Sequence, residues 1–264
     1  MIASIVWDVD PTIFEIAGRQ IRWYGLMWGI GFILAYKYAE WLFKKEKYPE
    51  EWVDKLFVYS IVSVIVGARL GHCLFYQWDY YTSNPVEILK IWEGGLASHG
   101  GTFGVILAAW IYSRKVTKQS VWWLFDRIIP SVAVLCFCIR FGNLMNSEIY
   151  GTPTDLPWGF IFVRDGQTVP CHPTQIYEML YCIVGFIVTW LMYWKFKAYK
   201  REGLLLGVFL EIIFFTRFML EFIKNDQELF EAGHLLNMGQ MLSLPFVIWG
   251  IYLIIRAYKR PALS

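Results

Sequence analysis

Charge is scarce in this chain, its cysteines are unpatterned, and the signatures of several enzyme classes are missing. Each absence removes a class of protein. Only 17% of the 264 residues are charged, where a soluble domain carries about 25%. The 24 Lys and Arg nearly cancel the 22 Asp and Glu, leaving +2, so nothing draws the chain to nucleic acid. Five cysteines at positions 73, 136, 138, 171 and 182 form neither a disulfide framework nor a zinc site. No metal-ligand cluster, glycine-rich nucleotide loop or Ser-His-Asp spacing occurs, so no metal and no cofactor is expected. The first residues hold Asp8, Asp10 and Glu15 with no basic start before an apolar run, and no cleavable signal peptide is expected. Neither a repeat of two halves nor a low-complexity tract is visible.

What is present is apolar. The AVILMFWYC fraction is 57%, with 21 glycines besides, and the mean hydropathy is +0.42. This is the composition of a membrane protein. Seven runs approach the length that crosses a bilayer: Trp23–Phe43, Val53–Tyr76, Leu96–Tyr112, Val121–Phe141, Gln175–Trp194, Gly203–Ile223 and Met238–Ile255. The fourth is the weakest, with Asp126, Arg127 and Pro130 in its first half. Apolar residues fall on both parities, so helices are favoured over barrel strands. The expectation is an all-α polytopic membrane protein with about seven spans, one integral-membrane domain over residues 1–264.

Basic residues orient it. Lys44, Lys45 and Lys47, then Arg114, Lys115 and Lys118, then Lys195, Lys197, Lys200 and Arg201, and finally Arg256, Lys259 and Arg260 mark one side; Lys90, Arg164 and Lys224 stand singly on the other. The N-terminus is therefore expected outside and the C-terminus in the cytoplasm. The longest outer connection, about residues 142–174, is rich in Gly, Pro and Asp, and a loop that long is usually functional or flexible.

Charges inside a span are costly, so each is a functional candidate. At 1.5 Å per residue, Arg69 lies about 24 Å and Arg217 about 21 Å from the inner end of its span. Arg140, Glu221, Tyr24 and His99 fall near outer span ends, and Asn143, Asn146 and Glu148 follow the fourth span directly. Plainer readings exist. Arg217 and Glu221, four apart, suit a helix-surface ion pair; Arg69 suits snorkelling to headgroups; His99 suits a polar helix start; Glu211 suits a hydrogen bond within the bundle. Gly25/Gly29, Gly67/Gly71, Gly100/Gly104 and Gly203/Gly207 fit small-residue helix packing. Trp7, Trp23, Trp78, Tyr80, Tyr81, Trp92, Trp122, Trp123 and Trp194 fit an interfacial belt. Taken together, arginines at one depth in a site reached from lipid form a fork for a phosphate, which points to a phospholipid headgroup.

The run Arg140-Phe-Gly-Asn143-Leu-Met-Asn146-Ser-Glu148-Ile-Tyr-Gly151 closely resembles the signature of the prolipoprotein diacylglyceryl transferases. Similar segments follow the family order: Arg22–Leu26, Gly94–Gly101, His172–Glu178, Arg217–Phe222 and Asn237–Gln240. The resemblance covers nearly the whole chain. It departs at Ile139 (usually Gly), Leu144 (Phe), Ile213 (Tyr) and Lys224 (Arg).

That resemblance implies a seven-span enzyme of the bacterial cytoplasmic membrane, with its active site toward the outer face. Such enzymes move the diacylglyceryl group of phosphatidylglycerol onto the lipobox cysteine thiol of a prolipoprotein, giving a thioether and glycerol phosphate. Arg140 and Arg217 are then expected to bind the phosphate. Asn143, Asn146 and Glu148, with Gly151 and Glu221, position the headgroup or the arginines. His99 is the candidate base for the thiol and Tyr24 the assisting or alternative group; the sequence leaves that choice open. The competing reading is an anionic-lipid or small-anion transporter, which tends to place such charges at the midplane between repeated halves.

Overall fold

The computed structural model describes residues 4–16, 18–225 and 236–262. The chain is mostly helical, and its contacts divide it into two compact units, residues 1–38 with 125–264 and residues 39–124. The helices fall where the apolar runs are. α1 (Trp23–Lys45), α2 (Glu50–Phe75), the short α3 (Trp78–Ser83), α4 (Ser98–Tyr112), α5 (Val121–Met145) and α6 (Thr174–Trp194) follow in order. The sixth run is broken: α7 (Leu204–Leu210) passes through a π turn at Glu211–Phe215 into α8 (Thr216–Leu220). α9 (Met238–Lys259) ends the helical set.

Among the described residues, four helices are long and apolar enough to cross a membrane: α2, α5, α6 and α9. α1 has the length but carries Lys37 and Glu40 inside it. α4 has 15 residues, about 22 Å of rise against a hydrocarbon core of about 30 Å.

In the smaller unit, α2 and α4 touch through glycine. A Cβ on Gly71 would lie 2.7 Å from the Gly100 Cα, and one on Gly104 would lie 3.2 Å from the Gly67 Cα. Two of the expected small-residue pairs therefore pack on each other, because only hydrogen leaves room for the backbones to approach this closely. Gly25 and Gly29 have nothing within 4 Å of a built Cβ, so that expected pair does not pack on another element among the described residues. Phe43, Tyr48, Trp52 and Trp123 form an aromatic knot, with Tyr48 stacked on Trp52 at 5.5 Å and edge-on to Trp123 at 5.1 Å. Trp123 is buried there, which removes it from the expected interfacial belt.

Arg69 is the main correction in this unit. Its guanidinium is buried, donating to the carbonyls of Glu87 (2.6 Å), Ile88 (3.0 Å), Gly94 (2.6 Å) and Gly95 (3.2 Å) and lying over the Tyr81 ring. It does not snorkel. It gathers the backbone of the α3–α4 connection, where Gly94 and Gly95 both take positive φ.

In the larger unit, α7 packs on α9 through Gly207, whose built Cβ would meet the Gly250 carbonyl at 3.0 Å. Asp126, the residue that weakened the fourth run, accepts from the amides of Gly203 (2.6 Å) and Leu206 (3.0 Å). A fully buried carboxylate from α5 thus caps the first turn of α7, satisfying donors that a helix start leaves free.

The long connection after α5 is ordered, and it holds strand that the all-α reading did not anticipate. β1 (Ile5–Trp7) pairs in parallel with β4 (Phe160–Phe162), and β2 (Thr12–Ile16) pairs antiparallel with β3 (Arg19–Arg22). Leu144, Phe160, Phe162 and Cys171 form a small core, with Trp7 and Tyr150 packed against it. Trp7 also donates its indole N–H to the Leu144 carbonyl at 3.0 Å, so it too has a role inside the fold. Tyr150 donates to Asp165 and accepts from Gln167 at 2.7 Å; partial burial and the Asp165 carboxylate push its phenol up to about 12.

Candidate functional site

The site is built at the C-terminal end of α5, where the chain leaves the helix through two non-glycine residues of positive φ, Ser147 (55°) and Ile149 (60°). That sharp exit turns Glu148 back toward the helix. The Asn143 amide donates to Glu148 Oε1 at 2.7 Å, and the Asn146 amide reaches the same oxygen at 3.4 Å. The first turn of α6 fixes the exit from beyond, with Gln175 Nε2 donating to the Glu148 carbonyl (2.6 Å) and the Thr174 hydroxyl to that of Ile149 (2.7 Å). Arg140, one turn before Asn143, donates to its Oδ1 at 3.4 Å.

Arg140 also begins a ladder of charge. Its Nε lies 2.9 Å from Glu178 Oε2. The other oxygen of Glu178 lies 2.9 Å from the Lys224 ammonium, which stands 3.2 Å from Glu221 Oε1. Arg217 Nε reaches that same oxygen at 3.5 Å. Glu178 and Lys224 are closed to solvent, with side-chain exposures of 0% and 1%, while Arg140 keeps 17% and Arg217 31%. The interior of the ladder is therefore carboxylates held by one lysine, and its two ends are arginines that still face outward. A buried charge left alone costs several kcal/mol (about 3–5 when one partner is removed), so alternation of sign is what permits the row.

Glu221 is held from a further side. The Asn237 amide donates to its carboxylate (3.3 Å) and its backbone carbonyl (3.2 Å), and Asn237 caps α9 in a box with Gln240. Gly239 lies against this carboxylate: a Cβ there would stand 2.7 Å from Glu221 Oε2. Gly151 has a backbone task. It bridges antiparallel to Lys224, accepts from the Asn225 amide at 3.1 Å, and a side chain would strike the Ile223 carbonyl and His172. It ties the exit loop to the strand-like end of the sixth run.

Tyr24, at the start of α1, packs on Gly142, where a built Cβ would lie 2.9 Å from its ring and 3.1 Å from its Cα. Eight of the nine candidates, Tyr24, Arg140, Asn143, Asn146, Glu148, Gly151, Arg217 and Glu221, thus lie in the larger unit. His99 belongs to the smaller unit, where it is exposed in the first turn of α4. The pairing of Arg217 with Glu221 is present, yet it is one rung of a ladder and not an isolated surface pair.

Glu178, Lys224, Asn237 and Gln175 are site residues that the sequence reading did not select. Glu178 carried a usable signal, a carboxylate one turn inside an apolar run. Lys224 falls just past the end of its run, so depth did not flag it, and its signal was the family's arginine at that position. Next to the site, His172 Nδ1 lies 3.3 Å from the Tyr177 hydroxyl, and partial burial holds its imidazole below the usual value. Among the described residues no group of His, Cys, Asp and Glu is placed to hold a metal ion.

Chemically, two outward guanidiniums braced from behind by carboxylates suit a phosphate, and amides beside them suit hydroxyl groups. Comparisons with known proteins identify the family of the chain. A family model described as prolipoprotein diacylglyceryl transferase matches residues 11–256. A Porphyromonas gingivalis protein named phosphatidylglycerol–prolipoprotein diacylglyceryl transferase is 49% identical, covering 98% of this chain and 96% of its own length. Proteins of the same name from Chloroherpeton thalassium and Tolumonas auensis are 44% and 42% identical, each over 98% of this chain and over 97% and 99% of their own lengths.

Proposed function

The chain belongs to the prolipoprotein diacylglyceryl transferase family, and from that premise we propose that it transfers the diacylglyceryl group of phosphatidylglycerol to the lipobox cysteine of a prolipoprotein. The cysteine sulfur attacks the glyceryl carbon that carries the phosphate oxygen. A C–S bond forms, the C–O bond breaks, and its electron pair leaves with glycerol phosphate. The thiol proton goes to a base.

Charge on the phosphate grows as the bond breaks, from a diester monoanion toward a monoester dianion. Arg140 and Arg217 stabilise that increment, because preorganised cations act most strongly where charge develops. The buried Glu178–Lys224–Glu221 row keeps both guanidiniums in place without requiring them to reorganise. This ladder is the observation that carries the reading. Asn143, Asn146 and Glu148 address the headgroup hydroxyls and the position of Arg140, and Gly151 keeps the loop and the ladder in register. A cysteine thiol with its ordinary value near 8.5 is mostly protonated at neutral pH, so His99, with Tyr24 as the alternative, takes the proton.

In this reading the whole chain is one integral-membrane domain of the bacterial cytoplasmic membrane. It has seven spans, an outer N-terminus and a cytoplasmic C-terminus, and the residue 142–174 segment and the site lie toward the outer face. A transfer assay tests the activity. Purified protein in detergent is mixed with phosphatidylglycerol and a lipobox peptide, and the peptide is weighed by mass spectrometry. A diacylglyceryl adduct on the cysteine, lost with Arg140→Gln, is the expected result; no adduct from folded, lipid-binding protein would refute it.

A further inference from the structure

The β2–β3 hairpin contributes no residue to the charge ladder. Its register sets Phe14 opposite Ile21 and Ile16 opposite Arg19. Partners across an antiparallel ladder share a face, and residues two apart share it too. Phe14, Ile16, Ile21 and Arg19 therefore occupy one face, and Glu15, Gln20 and Arg22 the other, where Arg22 donates to Gln20 Oε1 at 3.0 Å. The apolar face is open: Phe14 is 50% exposed, Ile16 60% and Ile21 36%. An isolated two-stranded hairpin is marginal in water, so a hairpin with its three large apolar side chains unburied needs a medium that takes them.

Its place in the fold indicates the medium. β3 ends at Arg22 and α1 starts at Trp23, whose amide donates back to the Pro11 carbonyl at 3.0 Å. The hairpin is thus fastened to the end of a helix read as a membrane span, at the level where aromatic and basic side chains meet headgroups. Arg19 on the apolar face has a stem long enough to lie in the apolar layer with its guanidinium at phosphate level. With Arg22 it outweighs Glu15, which suits an anionic leaflet. The residue after Trp23 is Tyr24, seated on Gly142 beside Asn143.

We infer that the β2–β3 hairpin is a membrane-interface finger, inserting Phe14, Ile16 and Ile21 among anionic lipids and fixing the end of α1 that presents Tyr24 to the site. The inference rests on the reading of α1 as a span. A lipid interface is favoured over a docked peptide because the hairpin is continuous with that span and carries arginine at the edge of its apolar face.

The test uses full-length protein with Ile16→Cys, Gln20→Cys or Ile33→Cys. Each is labelled with a polarity-sensitive fluorophore in vesicles of phosphatidylglycerol and phosphatidylcholine, with the unsubstituted protein as the labelling background. Ile33 is an exposed residue within α1, so its probe reports the span independently of the hairpin. Brominated lipid chains are expected to quench the Ile16 probe at least threefold more than the Gln20 probe, with aqueous iodide showing the reverse order. Equal access of iodide to both would overturn the finger, and so would an Ile16 probe shielded from both quenchers, which would mean a protein cover. An Ile33 probe untouched by brominated lipid would overturn the reading of α1 itself, and the finger with it.

Discussion

Two arginines, one in each unit, show how differently the same side chain can be used, Arg69 buried and Arg140 partly open. Arg69 spends its guanidinium on four backbone carbonyls, whereas Arg140 faces a carboxylate, an amide and open space. Carbonyls are neutral, so Arg69 keeps its full charge but gives four of its five N–H donors to the backbone; its work is to hold a loop together. Arg140 gives one edge to Glu178 and retains exposure. Depth in a span marks both as unusual, and only the chemistry of the partners separates the loop clasp from the ligand clamp.

The comparison breaks most sharply at Arg140. Arg140→Lys preserves the charge that Glu178 needs but loses the planar fork. Turnover is expected to fall about 10²–10³-fold, the scale of losing one transition-state donor, with little change in melting temperature. Adduct formation and thermal denaturation on one sample measure both. Unchanged turnover would place the clamp elsewhere.

Lys224 tests the interior of the ladder. Lys224→Met leaves Glu178 and Glu221 without their shared cation, so a loss of about 3–5 kcal/mol in stability is expected, together with a lower rate in whatever remains folded. Lys224→Arg is expected to recover most of both, since it restores the charge. Recovery of stability without rate would separate the bracing role from catalysis.

Arg69→Gln is the counterpart in the other unit. It leaves carbonyls short of donors, and a cost of about 1–3 kcal/mol is expected from unsatisfied buried groups. That loss should be visible in denaturation, while phosphatidylglycerol affinity stays within about twofold. If affinity collapsed and stability held, the division between clasp and clamp would be wrong.

The smallest effect is one of pH. Burial lowers the His172 value in the folded protein, so the unfolded chain binds its proton first as pH falls. Stability is complete above the unfolded value near 6.5 and declines as pH drops through the lower folded value. Comparing wild type with His172→Gln between pH 7.5 and 5 should show a shallower decline in the variant; parallel curves would assign the acid sensitivity to another group.

Much of the helical arrangement was legible because apolar length is a local property. α1, α2, α5, α6 and α9 begin and end within a few residues of their apolar runs. The pairs Gly67/Gly71 and Gly100/Gly104 were legible as packing glycines, though which helix met which was not. The strands were not legible. β1 and β4 are three residues each and pair across more than 150 positions, a contact that no local pattern announces. The break at Glu211–Phe215 was hidden because a π turn preserves apolar composition while shifting its phase.

Within the site, the run from Arg140 to Gly151 was legible because one helix end and its exit loop carry most of it. Glu178 and Lys224 were harder, since their meaning lies in a partner 46 positions away. By itself the sequence determined that this is a helical membrane protein of a recognisable family, because composition, run length and a contiguous signature are encoded residue by residue. The tertiary structure decided which charges are spent and which remain available. Ion pairing and burial depend on distances of about 3 Å between residues far apart in the chain, and such distances exist only after folding.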